Sequence, residues 1–314
     1  VKEAFYGGGA GSGKDISLDT IIPTSVGYKR MEDVHPGNWV YNHEGEQVIV
    51  VAESEIFTDH ECYKIRFDSG QEIVCGSDHN WIVHKNQLSR NKIGRYQILT
   101  TQELFDSNDK WSVIISEPLQ NLNEDYPIDP YTLGVWLGDG GAYDSKITCA
   151  DVQIINRVCE KNEVTEYGYN YSFNIVMLAS KLRDLNLLQN KHIPDLYFNL
   201  SFNCRLALLQ GLMDTDGTIT PSGTGIELSL SHERLAKDSL KLIRSLGIKA
   251  SCNINKSILN GKNYKDRYRI KFATKIPVFS LKRKVERHEI VTGKSNNNTS
   301  RNKWHYIESI EKTE

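Results

Sequence analysis

Hydrophobic positions change their period along this chain of 314 residues. Between residues 19 and about 121 they come in short Val/Ile-rich runs, such as 47–51 and 62–67. Turn signals separate the runs, among them His43-Glu44-Gly45-Glu46 and Asp68-Ser69-Gly70, so the spacing predicts a mostly β region. From about 126 to 294 helical and strand patterns alternate, in an α+β style. Two apolar stretches of helical type stand out there. They are Thr132-Leu133-Gly134-Val135-Trp136-Leu137-Gly138-Asp139-Gly140 and Leu209-Gln210-Gly211-Leu212-Met213-Asp214-Thr215-Asp216-Gly217, offset by 77 positions. Each has glycine where another helix could approach, and each ends in Asp-Gly. Residues 233–246 carry helical periodicity and stop at Gly247, which predicts a glycine C-cap. The polar, Asn-rich stretch 293–301 reads as a linker, and 304–311 is strand-like again.

The length exceeds what one core usually spans, so two domains are expected. No apolar run reaches membrane-spanning length and no secretory segment opens the chain, which implies a cytoplasmic protein with no membrane partner. Six scattered cysteines without a C-x-x-C pair argue against a zinc site or disulfide framework and for a reducing compartment. The net charge of −2 does not suggest a nucleic-acid binder, but its distribution changes the picture. Residues 262–303 hold thirteen Lys/Arg against three Asp/Glu. Locally basic surface is the footprint of phosphate binding, and equally of a solvated face with no partner.

The leading segment contains Gly8-Gly9-Ala10-Gly11-Ser12-Gly13-Lys14, which fits the phosphate-cradling G-x-x-x-x-G-K loop. Such a loop continues with Ser or Thr and a helix. Here Asp15 follows, then a strand-like run into Pro23. The motif is intact to its lysine and broken after it, as an insertion into a host NTPase gene would leave it. Residues 6–14 resemble the P-loop segment of a phage terminase large subunit.

The two Asp-Gly segments resemble the paired motifs of LAGLIDADG (DOD-type) homing endonucleases. The resemblance implies DNA phosphodiester hydrolysis with Asp139 and Asp216 as catalytic carboxylates. They would hold Mg2+ together with the backbone of Gly138 and Thr215. The chemistry is coherent. Helix C-termini disfavour anions and paired carboxylates repel, and a cation offsets both. Each helix is expected to end at Asp-Gly through a left-handed glycine. Asp214 is a secondary candidate. Lys191, in Asn190-Lys191-His192-Ile193-Pro194, resembles the K-x-I-P element of intein endonucleases, where a lysine assists water activation or stabilises charge. A solvent lysine before a turn is the plain alternative.

The flanking regions resemble inteins, protein-splicing elements of the Hint fold. Asp19-Thr20-Ile21-Ile22 resembles their opening strand, and Gly76-Ser77-Asp78-His79-Asn80-Trp81 falls at their block B histidine. The resemblance implies that His79 protonates the scissile amide, with Asp78, Trp81, Asp19 and Thr20 around it, and a splice junction between Lys14 and Asp15. A carboxylate at the first position cannot perform the usual acyl shift. Trp81 matches the tryptophan of class 3 inteins, which lack that first nucleophile. Gly76 stands where many inteins carry Thr, which removes a hydrogen bond to the junction.

The expected fold is multidomain, an all-β Hint domain interrupted by an α+β LAGLIDADG domain with two pseudo-symmetric motif helices. The expected boundaries are 1–14 for the host segment, 15–122 for the first part of the Hint domain, 123–294 for the endonuclease and 295–314 for the return to the Hint domain. The resemblance further implies that the chain stops before the C-terminal splicing motifs, so that splicing needs a separate C-terminal fragment. The expected partner is double-stranded DNA at the insertion site. Both motifs in one chain predict a monomer, in a bacterial host or phage-infected cell. The alternatives are a decayed intein without activity and a P-loop ATPase fragment.

Overall fold

The computed structural model describes residues 15–58, 60–85, 96–166, 171–220, 225–256, 258–259, 262–263, 266–294 and 301–313. The P-loop segment with Lys14, and residues 295–300 of the Asn-rich stretch, lie outside these. The chain divides into two compact units. One takes in residues up to Gln120 together with those from Ser300 onward, and the other is Asn121–Thr299.

The first unit is built of two sheets. Strands β1 (Ile21–Thr24), β2 (Gly27–Arg30), β3 (Trp39–Tyr41) and β4 (Gln47–Ile49) pair in the order β2-β1-β3-β4. The second sheet contains β5 (Cys62–Phe67), β6 (Glu72–Gly76), β7 (Asn80–Lys85), β8 (Tyr96–Thr100), β9 (Trp111–Ile114) and the last strand, Trp304–Thr313. That last strand lies between β5 and β9. It pairs Trp304 with Ile114, then shifts register between Ile307 and Ser309 to pair Ile310 with Ile65. Alternation explains the core. In β5 the buried Tyr63, Ile65 and Phe67 alternate with exposed Lys64 and Arg66. Phe67 and Ile65 join Met31, Val40, Trp81 and Trp111 inside.

A helix interrupts this β region, against the expectation from hydrophobic spacing. It is α1 (Thr101–Asp106), held by a capping box. Glu103 N–H donates to Thr100 Oγ1 at 3.1 Å, and Thr100 N–H donates to the Glu103 carboxylate at 2.8 Å. The Thr-x-x-Glu spacing is a local signal for such a start.

In the second unit, α2 (Pro130–Asp139) begins at an Asp129 cap and is buried from Pro130 to Leu137. It leads to β10 (Lys146–Thr148), α3 (Val152–Cys159), β11 (Val164–Glu166), β12 (Ser172–Ile175) and α4 (Leu178–Asp184), with a sheet in the order β10-β12-β11. The second repeat begins with α5 (Phe202–Thr215), capped by Ser201. There follow β13 (Gly217–Ile219), β14 (Ile226–Leu230), α6 (Glu233–Ser245), β15 (Ala250–Asn255), a short pair β16 (Ile258–Leu259) and β17 (Lys262–Asn263), β18 (Arg267–Phe272) and α7 (Lys282–Lys294). Its main sheet has the order β13-β14-β18-β15. Helix α6 ends one residue short of the predicted stop, and Gly247 follows in the left-handed region at φ 71°.

Both motif helices end at the Asp-Gly step, but not for the expected reason. Gly140 is extended, with φ −75° and ψ 152°, and Gly217 opens β13 without a positive φ. The requirement is space. An added Cβ on Gly140 would overlap Trp136 O and Cδ1 of its ring, and one on Gly217 would lie 2.6 Å from Met213 O. Each chain folds back so tightly over its own helix end that no side chain fits.

Candidate functional site

Helices α2 and α5 meet face to face through Gly134 and Gly211. A Cβ on Gly134 would overlap Leu208 O and lie 3.0 Å from Gly211 Cα. One on Gly211 would overlap Tyr131 O and lie 2.7 Å from Val135 N. This close crossing carries Asp139 and Asp216, at the two helix ends, into one half-buried place. Burial pushes the Asp139 carboxyl above its ordinary range and the Asp216 charge adds to that, while Lys191 and Lys284 oppose it. Burial also raises Asp216, against the pull of Lys191, Lys284 and Arg267. The structure thus brings Asp139, Asp216 and Lys191 together.

Lys191 has a role that spacing did not suggest. Its Nζ donates to the carbonyls of Trp136 (3.0 Å), Leu137 (3.0 Å) and Gly140 (2.7 Å), and at 3.4 Å to that of Gly138. It caps the C-terminus of α2, where a cation meets the negative end of the helix. Burial lowers its pKa to about 8, against the attraction of Asp216 and Asp139. A second lysine does the same for α5. Lys284 Nζ donates to Met213 O (2.8 Å), Asp214 O (2.7 Å) and Gly217 O (2.8 Å). Residues 213, 214 and 217 are the 77-position counterparts of 136, 137 and 140. Sequence reasoning missed Lys284. The K-x-I-P spacing does not repeat there, and Lys284 stands within the run Lys282-Arg283-Lys284 with nothing local to single it out.

Asp214 is not part of this centre. It is 2% exposed, and its carboxylate accepts from Tyr131 OH at 3.0 Å and from the Ser280 and Leu281 amides at 3.0 and 3.3 Å. It anchors the approach to α7 and so the position of Lys284. Asp238 of α6 serves the other lysine, accepting from Ile193 N–H at 3.1 Å. The basic stretch is likewise partly spent inside the unit. Arg269 is paired with Glu227 at 2.7 Å and Arg283 with Asp151 at 3.1 Å.

The donor set fits a hard divalent cation. Two half-buried carboxylates are held above their ordinary range, Asp139 partly by the charge of Asp216, which is the situation a cation relieves. Among the described residues no group of three or more His, Cys, Asp and Glu converges. A site with two protein carboxylates suits Mg2+, which commonly takes its other ligands from water and phosphate. The Gly138 carbonyl is shared with Lys191 at the longer distance, whereas the Thr215 side chain turns back to Leu212 O at 2.9 Å.

In the first unit the structure places His79 and Trp81 together, with ring centroids 4.7 Å apart. Thr101, fully buried, organises them. It accepts from Trp81 Nε1 at 3.0 Å, and its amide donates to His79 O at 2.9 Å. Asp78 is exposed and accepts from Ser77 Oγ at 3.3 Å. Asp19 accepts from Ser17 Oγ, and Thr20 joins the backbone network through Met31 N–H to Thr20 O at 2.8 Å. Asp15 is 2% exposed, and its Oδ2 lies 2.9 Å from His60 Nδ1. His60 carried no motif that could have flagged it. A Cβ on Gly76 would overlap the Asp15 carboxylate. The missing Thr is therefore the space that Asp15 fills. Cys75, beside it, is buried, and burial pushes its thiol up to about 12, so it remains protonated at neutral pH.

Residues 203–303 match the family described as LAGLIDADG-like domain. The chain is 32% identical over 298 residues to the replicative DNA helicase DnaB of Mycobacterium intracellulare, covering 88% of this chain and 50% of that protein. It thus spans about half the length of that relative. Among solved structures it is similar to the MchDnaB-1 intein, with 27% identity, a TM-score of 0.25, and coverage of 30% of this chain and 65% of the other. It is also similar to the homing endonuclease I-DmoI in complex with DNA and Mn, with 12% identity, a TM-score of 0.31, and coverage of 50% and 92%.

Proposed function

We propose that this chain is an intein-type element whose unit Asn121–Thr299, inserted within the splicing unit, cuts double-stranded DNA. The match to a LAGLIDADG-like domain begins at residue 203, within that unit, and runs to 303. The observation that carries the reading is the pair of carboxylates, Asp139 and Asp216, at the ends of two glycine-crossed helices, each end clamped by a lysine. Asp139 and Asp216 would hold the cation, and the backbone oxygens of Gly138 and Thr215 would complete the protein's share of its ligands. The chemistry Mg2+ supplies when bound is charge neutralisation at phosphate and activation of water. Lys191 and Lys284 keep the carboxylates at a fixed separation and offset their charge. Lys191, with its pKa near 8, can also hold or release a proton close to them.

In the splicing unit His79 is the general acid at the scissile amide, and Thr101 fixes its backbone and Trp81. Asp15, held by His60, is no acyl acceptor, which supports a class 3 route. A host of the P-loop ATPase kind is supported by residues 8–14. The phage terminase assignment is the narrower form of that reading, and the matched relatives are replicative DNA helicases. The working species is a monomer in the cytoplasm.

The test is cleavage of a plasmid carrying the rejoined P-loop coding sequence. With Mg2+ the parent linearises it, whereas Asp139→Asn/Asp216→Asn, or EDTA, leaves it circular. Cutting that survives in the double variant, or a parent inert across a library of P-loop coding sequences, overturns the reading.

A further inference from the structure

The sheet β13-β14-β18-β15 has two unlike faces. Strand alternation buries Ile270 and Phe272 of β18 with Ile226, Leu228 and Leu230 of β14. Arg267, Arg269 and Lys271 stand on the other face, which borders a groove of about 500 Å³ lined by Asp216, Thr218, Ser229 and Arg267 among others. One carboxylate sits among these cations. Glu227 is 8% exposed, and its two oxygens accept from Arg269 Nε at 2.7 Å and Nη2 at 2.8 Å.

We propose that Arg269, clamped by Glu227, reads a guanine in the major groove of the bound duplex, and that Glu227 is its positioning residue. The inference rests on the DNA-cleaving reading above. A guanidinium has two edges able to make paired bonds. Glu227 takes the Nε–Nη2 edge, which leaves Nη1 and the second Nη2 proton as a parallel pair. That pair matches guanine N7 and O6, two neighbouring acceptors. Adenine places a donor beside N7, cytosine presents a donor, and thymine has one acceptor, so none returns both bonds.

The clamp also argues against a phosphate contact. Glu227 offsets part of the charge of Arg269, though it also lies 4.0 Å from Lys271 Nζ, while the hydrogen-bond directions of Arg269 persist. Its swing is already restricted, so less freedom is lost on binding. Arg267, more exposed and on the same face, suits phosphate better. The sheet of the first repeat contains no arginine in β10, β11 or β12, so this reading belongs to the half-site under the second repeat.

The experiment is selection of bound duplexes from a library randomised across the rejoined insertion site, in EDTA so that nothing is cut. The full chain is compared with Arg269→Gln and Glu227→Gln. The parent selects guanine at one position of one half-site. Arg269→Gln loses that preference by roughly 5- to 100-fold and keeps the others. Glu227→Gln weakens preference at the same position while overall affinity holds or rises, because a negative charge has gone. An unchanged guanine preference in Arg269→Gln overturns the proposal. So does a loss spread over all positions with a shallower salt dependence, the mark of a phosphate contact. A parent that selects no sequence at all sinks the DNA reading itself, and this proposal with it.

Discussion

Replacing Gly134 by alanine sets two effects of opposite sign against each other. By helix propensity alone the change stabilises α2 by about 1 kcal/mol. At the crossing, the new Cβ overlaps Leu208 O and lies 3.0 Å from both Gly211 Cα and Leu212 N. Ordinary contact begins near 3.4 Å. All three obstacles are backbone atoms of α5, so no rotamer change relieves them, and the helices must separate by an amount on the order of 1 Å. Overpacking of this kind costs typically 1–3 kcal/mol and more where backbone must move. We expect a net destabilisation of about 2 kcal/mol, or roughly 4–8 °C in the melting of a unit this size. Calorimetry reads the shift, and hydrogen exchange of the α2 amides assigns it to this unit. The same displacement parts Asp139 from Asp216, and a misplacement of about 1 Å can cost on the order of 100-fold in rate. A Gly134→Ala protein that melts higher than the parent, by the propensity gain, would refute the close crossing. So would one that cuts DNA at the parental rate.

Two further outcomes test the rest of the geometry. Lys284→Met strips the α5 carbonyls of their cap, and DNA cleavage should fall at least about tenfold, as it should for Lys191→Met; single-turnover rates equal to the parent's would return Lys284 to an ordinary lysine. In the first unit Gly76→Ala should destabilise by about 1–3 kcal/mol when Asp15 is present and far less in an Asp15→Gly background, so a double-mutant cycle by urea unfolding should show coupling of at least about 1 kcal/mol; additive effects would mean that the carboxylate does not fill that space.

Several elements were legible in the chain because their causes are local. The alternation in Cys62–Phe67 predicts that strand at its observed ends, since every second residue must face the core. The apolar stretches ending in Asp139-Gly140 and Thr215-Asp216-Gly217 predict two buried helices and their ends. Helix α1 was locally legible as well, through its capping box, but the β-rich surroundings outweighed four residues of signal. The termini of the motif helices were placed correctly for a wrong reason. A left-handed glycine and a crowded extended glycine leave the same letter in the sequence, and only the neighbouring Trp136 and Met213 distinguish them.

The sequence by itself determined the largely β character of the first region, the two motif helices, that Asp139 and Asp216 occupy equivalent positions, and that glycines permit two helices to meet. Period, turn chemistry and side-chain size act within a few residues, so a linear reading captures them. Only the tertiary structure decided that Lys191 reaches back 51–55 positions to cap α2, and that Lys284 does the same 67–71 positions away for α5. It also decided that Asp214 is an anchor, that Thr101 holds Trp81, and that His60 meets Asp15. Each of these contacts depends on where two distant stretches of backbone come to rest. A buried carbonyl or carboxylate must be satisfied by whichever donor packing delivers to it, and no local rule names that donor.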